Sequence, residues 1–231
     1  MARRVSTRRR RKSNSNFWVV GGIVVIAIVA VALVIVNSNA AGAGGARISF
    51  NPPAAAPLDK CGATTCGQDN APVTIDVFAD FQCPYCAQFE PVLQQLAGPY
   101  IDTGKVKLVY HNFTLIGPES DTAAQAALCA ADQNKFWMFA NDLFKHQGTE
   151  NSGVFSGANL KGLAAAAGLN TSTFNSCLDS GKYKSTLTQS QAEGDQKGVK
   201  ATPSFAVNGQ MHEGGVTYDQ LVALINAALP K

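Results

Sequence analysis

Two cysteines, Cys83 and Cys86, are separated only by Pro84 and Tyr85. Thiols at this spacing can form a disulfide by losing two electrons, or they can bind a metal, and the thiolate is the reactive form in both cases. The pair stands at the predicted first turn of a helix, where backbone N–H groups lack internal partners and the helix dipole is positive. We therefore expect a stabilised thiolate at Cys83, the first of the two sulfurs.

The residues on either side of the pair predict a strand followed by a helix. Val73–Ala79 is rich in β-branched and aromatic residues, as expected for a buried strand. Beyond the pair, apolar residues recur at helical spacing, and these are Phe89, Val92, Leu93 and Leu96. Pro84 suits the first helical position because its missing N–H has no partner to lose there. Pro91 should kink the same helix in its interior.

Other interpretations of the spacing involve the remaining cysteines. Cys61 and Cys66 could supply the second ligand pair of a four-sulfur zinc site. A purely structural disulfide between Cys83 and Cys86 would close too small a loop to constrain the unfolded chain much. The redox interpretation requires that the rest of the chain shows the features of a fold known for dithiol chemistry.

A second motif, at 198–209, supplies such a feature. Pro203 stands just ahead of a short apolar strand, and the strand runs into Asn208-Gly209, a strong hairpin signal. Together with the Cys-Pro-Tyr-Cys motif, this segment resembles the thioredoxin fold, and more closely the membrane-anchored, DsbA-like thiol:disulfide oxidoreductases of bacteria. The resemblance spans 69–229. It implies an α/β domain, a thioredoxin-like fold with a helical insertion between the two halves of the sheet.

The resemblance also implies roles for the residues of the two motifs. Cys83 would be the exposed sulfur that forms a mixed disulfide with a substrate, and Cys86 the buried sulfur that resolves it. Pro84 and Tyr85 would tune the pair from between the sulfurs. Pro203 would follow a cis peptide bond and lie against the dithiol, with the position of Thr202 facing the sulfurs.

The activity implied by the resemblance is oxidation of cysteine pairs in exported proteins, with no cofactor or metal held by the chain. The implied partners are exported proteins with unpaired cysteines and a membrane quinone-linked reoxidant, either DsbB-like or vitamin K epoxide reductase-like. Two alternative functions use the same residues. One is a reductase or isomerase for cytochrome c or copper-site maturation, and the other is a non-enzymatic metal-binding module.

The four other cysteines are interpreted as structural. Some relatives join two helices of the insertion, here about 118–197, by a second disulfide, and this implies a bond between Cys129 and Cys177. Buried free thiols that pack as small apolar residues are the alternative. Cys61 and Cys66 are close enough in sequence to pair in an oxidising compartment. A zinc ligand pair or an accessory redox couple are the alternatives for these two.

One position departs from the pattern of the relatives. Many of them carry a buried acidic residue six positions before the first active cysteine, where this chain has Val77. The neighbouring Asp76 should point to the opposite face of the strand, because side chains alternate along it. Asp80 is the nearest other carboxylate, and it could cap or orient the loop before Cys83.

The N-terminal third of the chain differs in composition from the rest. The net charge is +3, but seven of the 19 basic residues and no acidic residue lie in the first dozen positions. The remainder has 12 basic residues against 16 acidic ones, which argues against a nucleic-acid-binding surface. The run 17–36 is apolar throughout and long enough to cross a bilayer as a helix.

The basic residues predict the orientation of this helix. We expect 1–16 to be a cytoplasmic tail, 17–36 a transmembrane signal-anchor and 37–71 a flexible Ala/Gly/Pro-rich spacer, with a DsbA-like domain at 72–229 outside the cell membrane. A cleaved signal peptide is the alternative, because Ser38-Asn39-Ala40 could serve as a cleavage site.

Overall fold

A five-stranded mixed sheet forms the centre of the protein, whose structure, a computed structural model, describes residues 49–230. The strands are β1 (Thr65–Cys66), β2 (Val73–Ala79), β3 (Val106–Asn112), β4 (Ser204–Val207) and β5 (Gln210–Glu213). Their order across the sheet is β1-β3-β2-β4-β5. The central pair β2 and β3 is parallel, and the other neighbours are antiparallel.

Seven α-helices lie among the remaining described residues. They are α1 (Pro84–Gln94), α2 (Pro118–Ala131), α3 (Phe136–Lys145), α4 (Gly157–Ala166), α5 (Thr171–Ser180), α6 (Lys184–Gln196) and α7 (Tyr218–Ala228). Five of them, α2 to α6, lie between β3 and β4 in the chain. The thioredoxin-like fold with a helical insertion between the two halves of the sheet is thereby confirmed.

Local sequence signals account for several element boundaries. The predicted strand at Val73–Ala79 is β2, residue for residue. Thr217 and Gln220 form the expected capping box at the start of α7, each side chain bonding the other residue's backbone N–H. Gly181 ends α5 in the left-handed conformation, with φ of 63°. Pro91 lies inside α1, which continues to Gln94.

The two faces of the sheet are packed differently. Along β2 the side chains of Val73, Ile75 and Val77 are buried in the main core. The alternate side chains point to the opposite face, where a smaller cluster forms around Phe78, Phe113 and Val199. Gly194 of α6 packs directly on the Phe113 ring, and an added Cβ there would lie 2.6 Å from Phe113 Cδ2.

The predicted spacer at 37–71 is too long at its C-terminal end. A 3-10 helix spans Pro57–Lys60, and its Leu58 is fully buried. Strand β1 then pairs with β3. The folded domain therefore begins before residue 72, because Leu58 belongs to the main core and Thr65–Cys66 extends the sheet.

The expected transmembrane segment at 17–36 and the basic tail at 1–16 lie outside the described residues. Within 49–230, no helix has the length and apolar character needed to span a bilayer.

Candidate active site

Cys83 lies at the junction between β2 and α1, as the sequence predicts. It is the N-cap residue of α1, with extended backbone angles, and Pro84 is the first helical residue. The Cys83 carbonyl accepts hydrogen bonds from the backbone N–H groups of Cys86 and Ala87, at 3.1 and 3.2 Å. Both sulfurs are unbonded thiols in this structure.

The fold brings the second motif to this junction. The peptide bond between Thr202 and Pro203 is cis, as the resemblance implies. Strands β2 and β4 pair antiparallel with Phe78 opposite Ser204, so the loop before β4 lies beside the end of β2. The Cys83 thiol donates a hydrogen bond to the Thr202 carbonyl oxygen at 3.1 Å, although the two residues are 119 positions apart.

The surroundings of Cys83 favour its thiolate. Its pKa is lowered from 9.0 to about 6, chiefly by a hydrogen bond with the Cys86 thiol. Burial opposes this change in pKa, whereas hydrogen bonds from the Thr202 side chain and from the backbone N–H groups of Cys86 and Tyr85 add to it. These N–H groups belong to the first turn of α1, which is the source of stabilisation expected from the sequence.

Cys86 has the opposite tendency. Its pKa is strongly raised, first because the thiol is buried and then because the negative Cys83 sulfur lies next to it. Only 2% of the Cys86 surface is exposed. The expectation of an exposed Cys83 is wrong in degree, since only 5% of that residue is accessible. The Thr202–Pro203 loop and the backbone of the first turn of α1 surround its sulfur.

Asp80, three residues before Cys83, orients the loop that leads to the dithiol. Its carboxylate is buried and accepts hydrogen bonds from the backbone N–H groups of Gln82, Leu115 and Ile116, at 2.8, 2.8 and 3.1 Å. Of the two roles considered for Asp80, loop orientation is the one that these contacts support. They also fix the loop after β3 against the loop that carries Cys83.

Sequence reasoning missed the polar residues that hold this loop from the other side. The Gln147 amide donates to the carbonyl oxygens of Phe81 and Cys83, at 2.6 and 3.0 Å. The Gln82 amide donates to Ser120 and to Asn151 and accepts from the Asn151 backbone N–H. A lone glutamine or asparagine in a loop has no distinctive spacing, so no signal in the sequence marks these partners.

The surface beside the dithiol is partly apolar. Tyr85 is 66% exposed and borders a groove of about 340 Å³ between α1 and the loop before α7. The groove is also lined by Phe89, Val92 and Val216. Leu115, which is tied to Asp80, is 46% exposed.

The four remaining cysteines lie in two disulfides. Cys129 of α2 is bonded to Cys177 of α5, with Cα atoms 5.8 Å apart. Cys61 is bonded to Cys66, with Cα atoms 5.3 Å apart. Because Cys61 and Cys66 are joined to each other, they are not free to act as thiolate ligands of a metal in this structure.

Val77 stands where many relatives carry a buried acidic residue, and its side chain is buried in this structure. Val77 is 1% exposed and faces the main core. Asp76 lies on the opposite face, where its carboxylate is 2.7 Å from the His111 ring, and this contact lowers the Asp76 pKa. Asp76 is therefore on the wrong face to lie beneath the sulfurs, and the Asp80 carboxylate is occupied by backbone N–H groups.

Comparison with known proteins places this geometry in a family. The profile of the family described as Thioredoxin matches residues 60–227, which include both motifs. The probable disulfide bond formation protein D of Bacillus anthracis is 31% identical over 170 residues, covering 71% of this chain and 77% of that protein. Oxidised BdbD from Bacillus subtilis is a solved structure with a TM-score of 0.65 and 25% identity, covering 78% of this chain and 97% of that chain.

Another kind of relative is much longer. The Na(+)/H(+) antiporter NhaA 1 of Salinispora arenicola is 32% identical over 164 residues, which are 70% of this chain but only 24% of that protein. This chain thus spans about a quarter of the length of that relative. The residues matched by the profile include the sheet, the dithiol and the helical insertion. The chain therefore belongs to the thioredoxin family.

Proposed function

We propose that this protein introduces disulfides into exported proteins outside the cell membrane, using Cys83 and Cys86 as the reacting pair. The observation that carries the proposal is the opposite direction of the two pKa changes. The pKa of Cys83 is lowered to about 6, and that of Cys86 is raised by burial. A protein that stabilises its thiolate in the reduced state favours its own reduction, and so favours oxidation of the substrate.

The reaction begins with the disulfide between Cys83 and Cys86. A substrate thiolate attacks the Cys83 sulfur, so the bond between the two cysteines breaks and a mixed disulfide forms at Cys83. A second substrate thiolate then attacks the substrate sulfur of that mixed disulfide. The substrate leaves with its own disulfide, and Cys83 is released as a thiolate, which is a good leaving group because its pKa is low. Two electrons pass from the substrate to the protein.

Substrate binding is proposed at the surface around the dithiol. An extended substrate segment would lie along the Thr202–Pro203 loop, whose Thr202 carbonyl is 3.1 Å from the Cys83 sulfur. The groove beside the exposed Tyr85 would accept an apolar side chain of that segment. An unfolded substrate offers such side chains, whereas a folded protein has buried most of them.

The proposal extends to the rest of the chain and to a partner. The apolar run 17–36 would anchor the protein, and the spacer from residue 37 to the 3-10 helix at Pro57–Lys60 would hold the domain away from the membrane. A quinone-linked membrane protein of the DsbB-like or vitamin K epoxide reductase-like type would reoxidise the dithiol. The names of the Bacillus relatives refer to disulfide bond formation and support the oxidation of cysteine pairs as the activity.

The test is oxidation of a reduced, unfolded substrate with two cysteines by the purified, oxidised protein. We expect Cys83→Ser to abolish the reaction and the double variant Cys61→Ser/Cys66→Ser to retain it. An active Cys83→Ser variant together with an inactive Cys61→Ser/Cys66→Ser variant would instead assign the reaction to Cys61 and Cys66.

The direction of the reaction is tested separately, by the reduction potential of Cys83 and Cys86 in a glutathione buffer. A value closer to about −120 mV, as in DsbA, would support the oxidase. A value closer to about −270 mV, as in thioredoxin, would favour the reductase for cytochrome c or copper-site maturation.

A further inference from the structure

Two large apolar side chains are exposed among residues 49–230, and both lie beside the dithiol. One is Tyr85, two residues after Cys83, and the proposed function already uses the groove that it borders. The other is Leu115, in the loop between β3 and α2, which is 46% exposed. Single apolar side chains scattered over a surface need no explanation, but two that are confined to one site mark a contact surface.

The Asp80 carboxylate joins the Leu115 loop to the segment that carries Cys83. One of its oxygens accepts the backbone N–H of Gln82 at 2.8 Å, and the other accepts that of Leu115, also at 2.8 Å. The backbones of Gln82 and Leu115 are therefore separated by the width of a single carboxyl group, and Cys83 directly follows Gln82. A substrate chain bonded to the Cys83 sulfur spans about 3.3 Å per extended residue. Residues close to its reacting cysteine therefore reach Leu115.

Hydrogen bonds at both ends hold the Leu115 loop in place. Before Leu115, the Phe113 N–H donates to the Ala79 carbonyl oxygen at 3.0 Å, which continues the pairing of β2 with β3. After it, the Ile116 carbonyl oxygen accepts from the Asn151 amide at 3.3 Å. The loop is thus ordered before a substrate arrives, so a contact with Leu115 costs little further conformational entropy.

The neighbours of Leu115 in the loop are packed, but Leu115 itself is not. Phe113 is fully buried in the small cluster on one face of the sheet, and Ile116 packs against the main core. Leu115 belongs to neither of these clusters of the described residues. Turning it inward would break the hydrogen bond between its N–H and Asp80. The fixed backbone therefore keeps an apolar side chain at the surface, where contact with another apolar group is favourable.

The surroundings of Leu115 favour one neutral, apolar occupant. Asp80 is compensated by backbone donors, and both oxygens of the nearby Glu119 accept the N–H groups of Gly153 and Phe155, at 2.5 and 2.9 Å. A basic side chain would find no uncompensated charge on these two carboxylates. A single leucine is also far smaller than the roughly 1,000 Å² that a specific protein–protein interface buries. It suits one side chain of a segment that a covalent bond already holds.

We propose that Leu115 is a specificity-determining residue, which contacts an apolar side chain close to the reacting cysteine of the substrate. The inference rests on the proposed function and deepens it, because it assigns a preference for substrates with an apolar residue near that cysteine. The contact forms together with the mixed disulfide at Cys83 and is separate from the contact in the groove beside Tyr85. An unfolded segment offers two such side chains within one short stretch.

The experiment is the oxidation of a series of short dithiol peptides by the oxidised full-length protein. The peptides carry either leucine or serine at one position, and this position is moved along the residues that flank the cysteines. The half-saturating peptide concentration and the limiting rate are measured separately. In the wild type, we expect leucine to be preferred by about 3-fold to 10-fold in kcat/KM at two positions, through a lower half-saturating concentration.

Leu115→Ser should reduce the preference at one of these positions to about 1-fold and leave oxidation of the serine peptide unchanged. The unchanged serine peptide shows that the variant is folded and that its dithiol reacts normally. Leu115→Met is the matched control, because it keeps an apolar side chain of similar size on the same backbone. It should retain both preferences.

A covalent trap locates the contact. Cys86→Ser is joined at Cys83 to a single-cysteine peptide by exchange with the peptide's thiopyridyl disulfide. The peptide carries a photoreactive leucine analogue at the position that Leu115→Ser affects. We expect the crosslink to map to 113–117, and a crosslink confined to the groove beside Tyr85 would overturn the assignment.

Three kinetic outcomes would also overturn it. A Leu115→Ser protein that keeps every preference would show that no substrate side chain contacts this residue. Equal slowing of leucine and serine peptides, with a lower melting temperature, would make the role structural. Wild-type oxidation of every peptide combined with slower reoxidation by isolated membranes would assign Leu115 to the reoxidant. Failure of the proposed function is distinguishable, because the wild type would then oxidise none of the peptides.

Discussion

The lowered pKa of Cys83 makes the stability of the reduced protein depend on pH. The pKa falls from 9.0 to about 6, and about 3 pKa units correspond to about 4 kcal/mol. Electrostatic screening reduces this figure, so we expect about 2 to 4 kcal/mol. A group whose pKa is lowered by folding stabilises the protein above its unfolded pKa, and this contribution is lost as the pH falls through the folded value.

The reduced protein should therefore lose about 2 to 4 kcal/mol of stability between pH 9 and pH 5, relative to the oxidised protein. The oxidised form is the internal reference, because neither Cys83 nor Cys86 titrates in it while all other groups are shared. The raised pKa of Cys86 keeps that thiol neutral over this pH range. The same free energy makes the couple more oxidising by about 40 to 90 mV than a pair with an unperturbed thiol.

Two measurements test this expectation. Thiolate absorbance of the reduced protein should show a transition near pH 6 that is absent in Cys83→Ser. Urea unfolding followed by circular dichroism, at pH 5, 7 and 9, gives the difference in stability between the reduced and oxidised forms. A thiolate transition near pH 9, or a reduced form that gains relative stability as the pH falls, would refute the reasoning.

Three further perturbations follow from the same structure. Thr202→Val removes a side-chain hydrogen bond to the Cys83 sulfur and should raise the Cys83 pKa by about 1 unit, measured by thiolate absorbance. Removing the disulfide with Cys129→Ala/Cys177→Ala opens a loop with a sequence separation of 48 and should lower the free energy of unfolding by about 4 kcal/mol in the chain-entropy treatment, without changing the Cys83 pKa. Gly194→Ala places a methyl group against the Phe113 ring and should destabilise the protein by about 1 to 3 kcal/mol in urea unfolding.

Each of these variants has a matched control in the chain. Thr103→Val removes an exposed hydroxyl whose contacts are local, and it should leave the Cys83 pKa unchanged. Cys61→Ala/Cys66→Ala opens a separation of only 5 and should cost about 2 kcal/mol, half the effect of the longer loop. Gly98 has no atom within 4 Å of an added Cβ, so Gly98→Ala should be tolerated. Equal effects in a variant and its control would contradict the explanation given for that position.

Several features of this protein could be predicted from local sequence. The strand at Val73–Ala79, the start of α1 at Pro84 and the capping box at Thr217 each depend on residues within a few positions of one another. The stabilised Cys83 thiolate also follows largely from local sequence, because the Cys86 thiol, its main stabilising partner, and the backbone donors of Tyr85 and Cys86 belong to the same helical turn. Such features hold in any fold that forms these elements.

Other features could be reached only through the resemblance to a known fold. The cis bond before Pro203 and the position of Thr202 at the Cys83 sulfur require two segments 119 residues apart to meet. No spacing rule connects residues at that distance. The pairing of β2 with β4 supplies the connection, since it places the loop before β4 at the end of β2.

The tertiary structure alone decided how far each sulfur is buried and which polar groups surround it. It covers Cys83 to 5% exposure and brings the Gln147 amide and the Asp80 carboxylate to the loop beside it. These properties depend on the packing of α1 and of loops from the insertion against one face of the sheet. The burial and the pKa of a group depend on every group close to it in space, including groups far away in the sequence. Local sequence patterns specify only the residues that are close in the sequence.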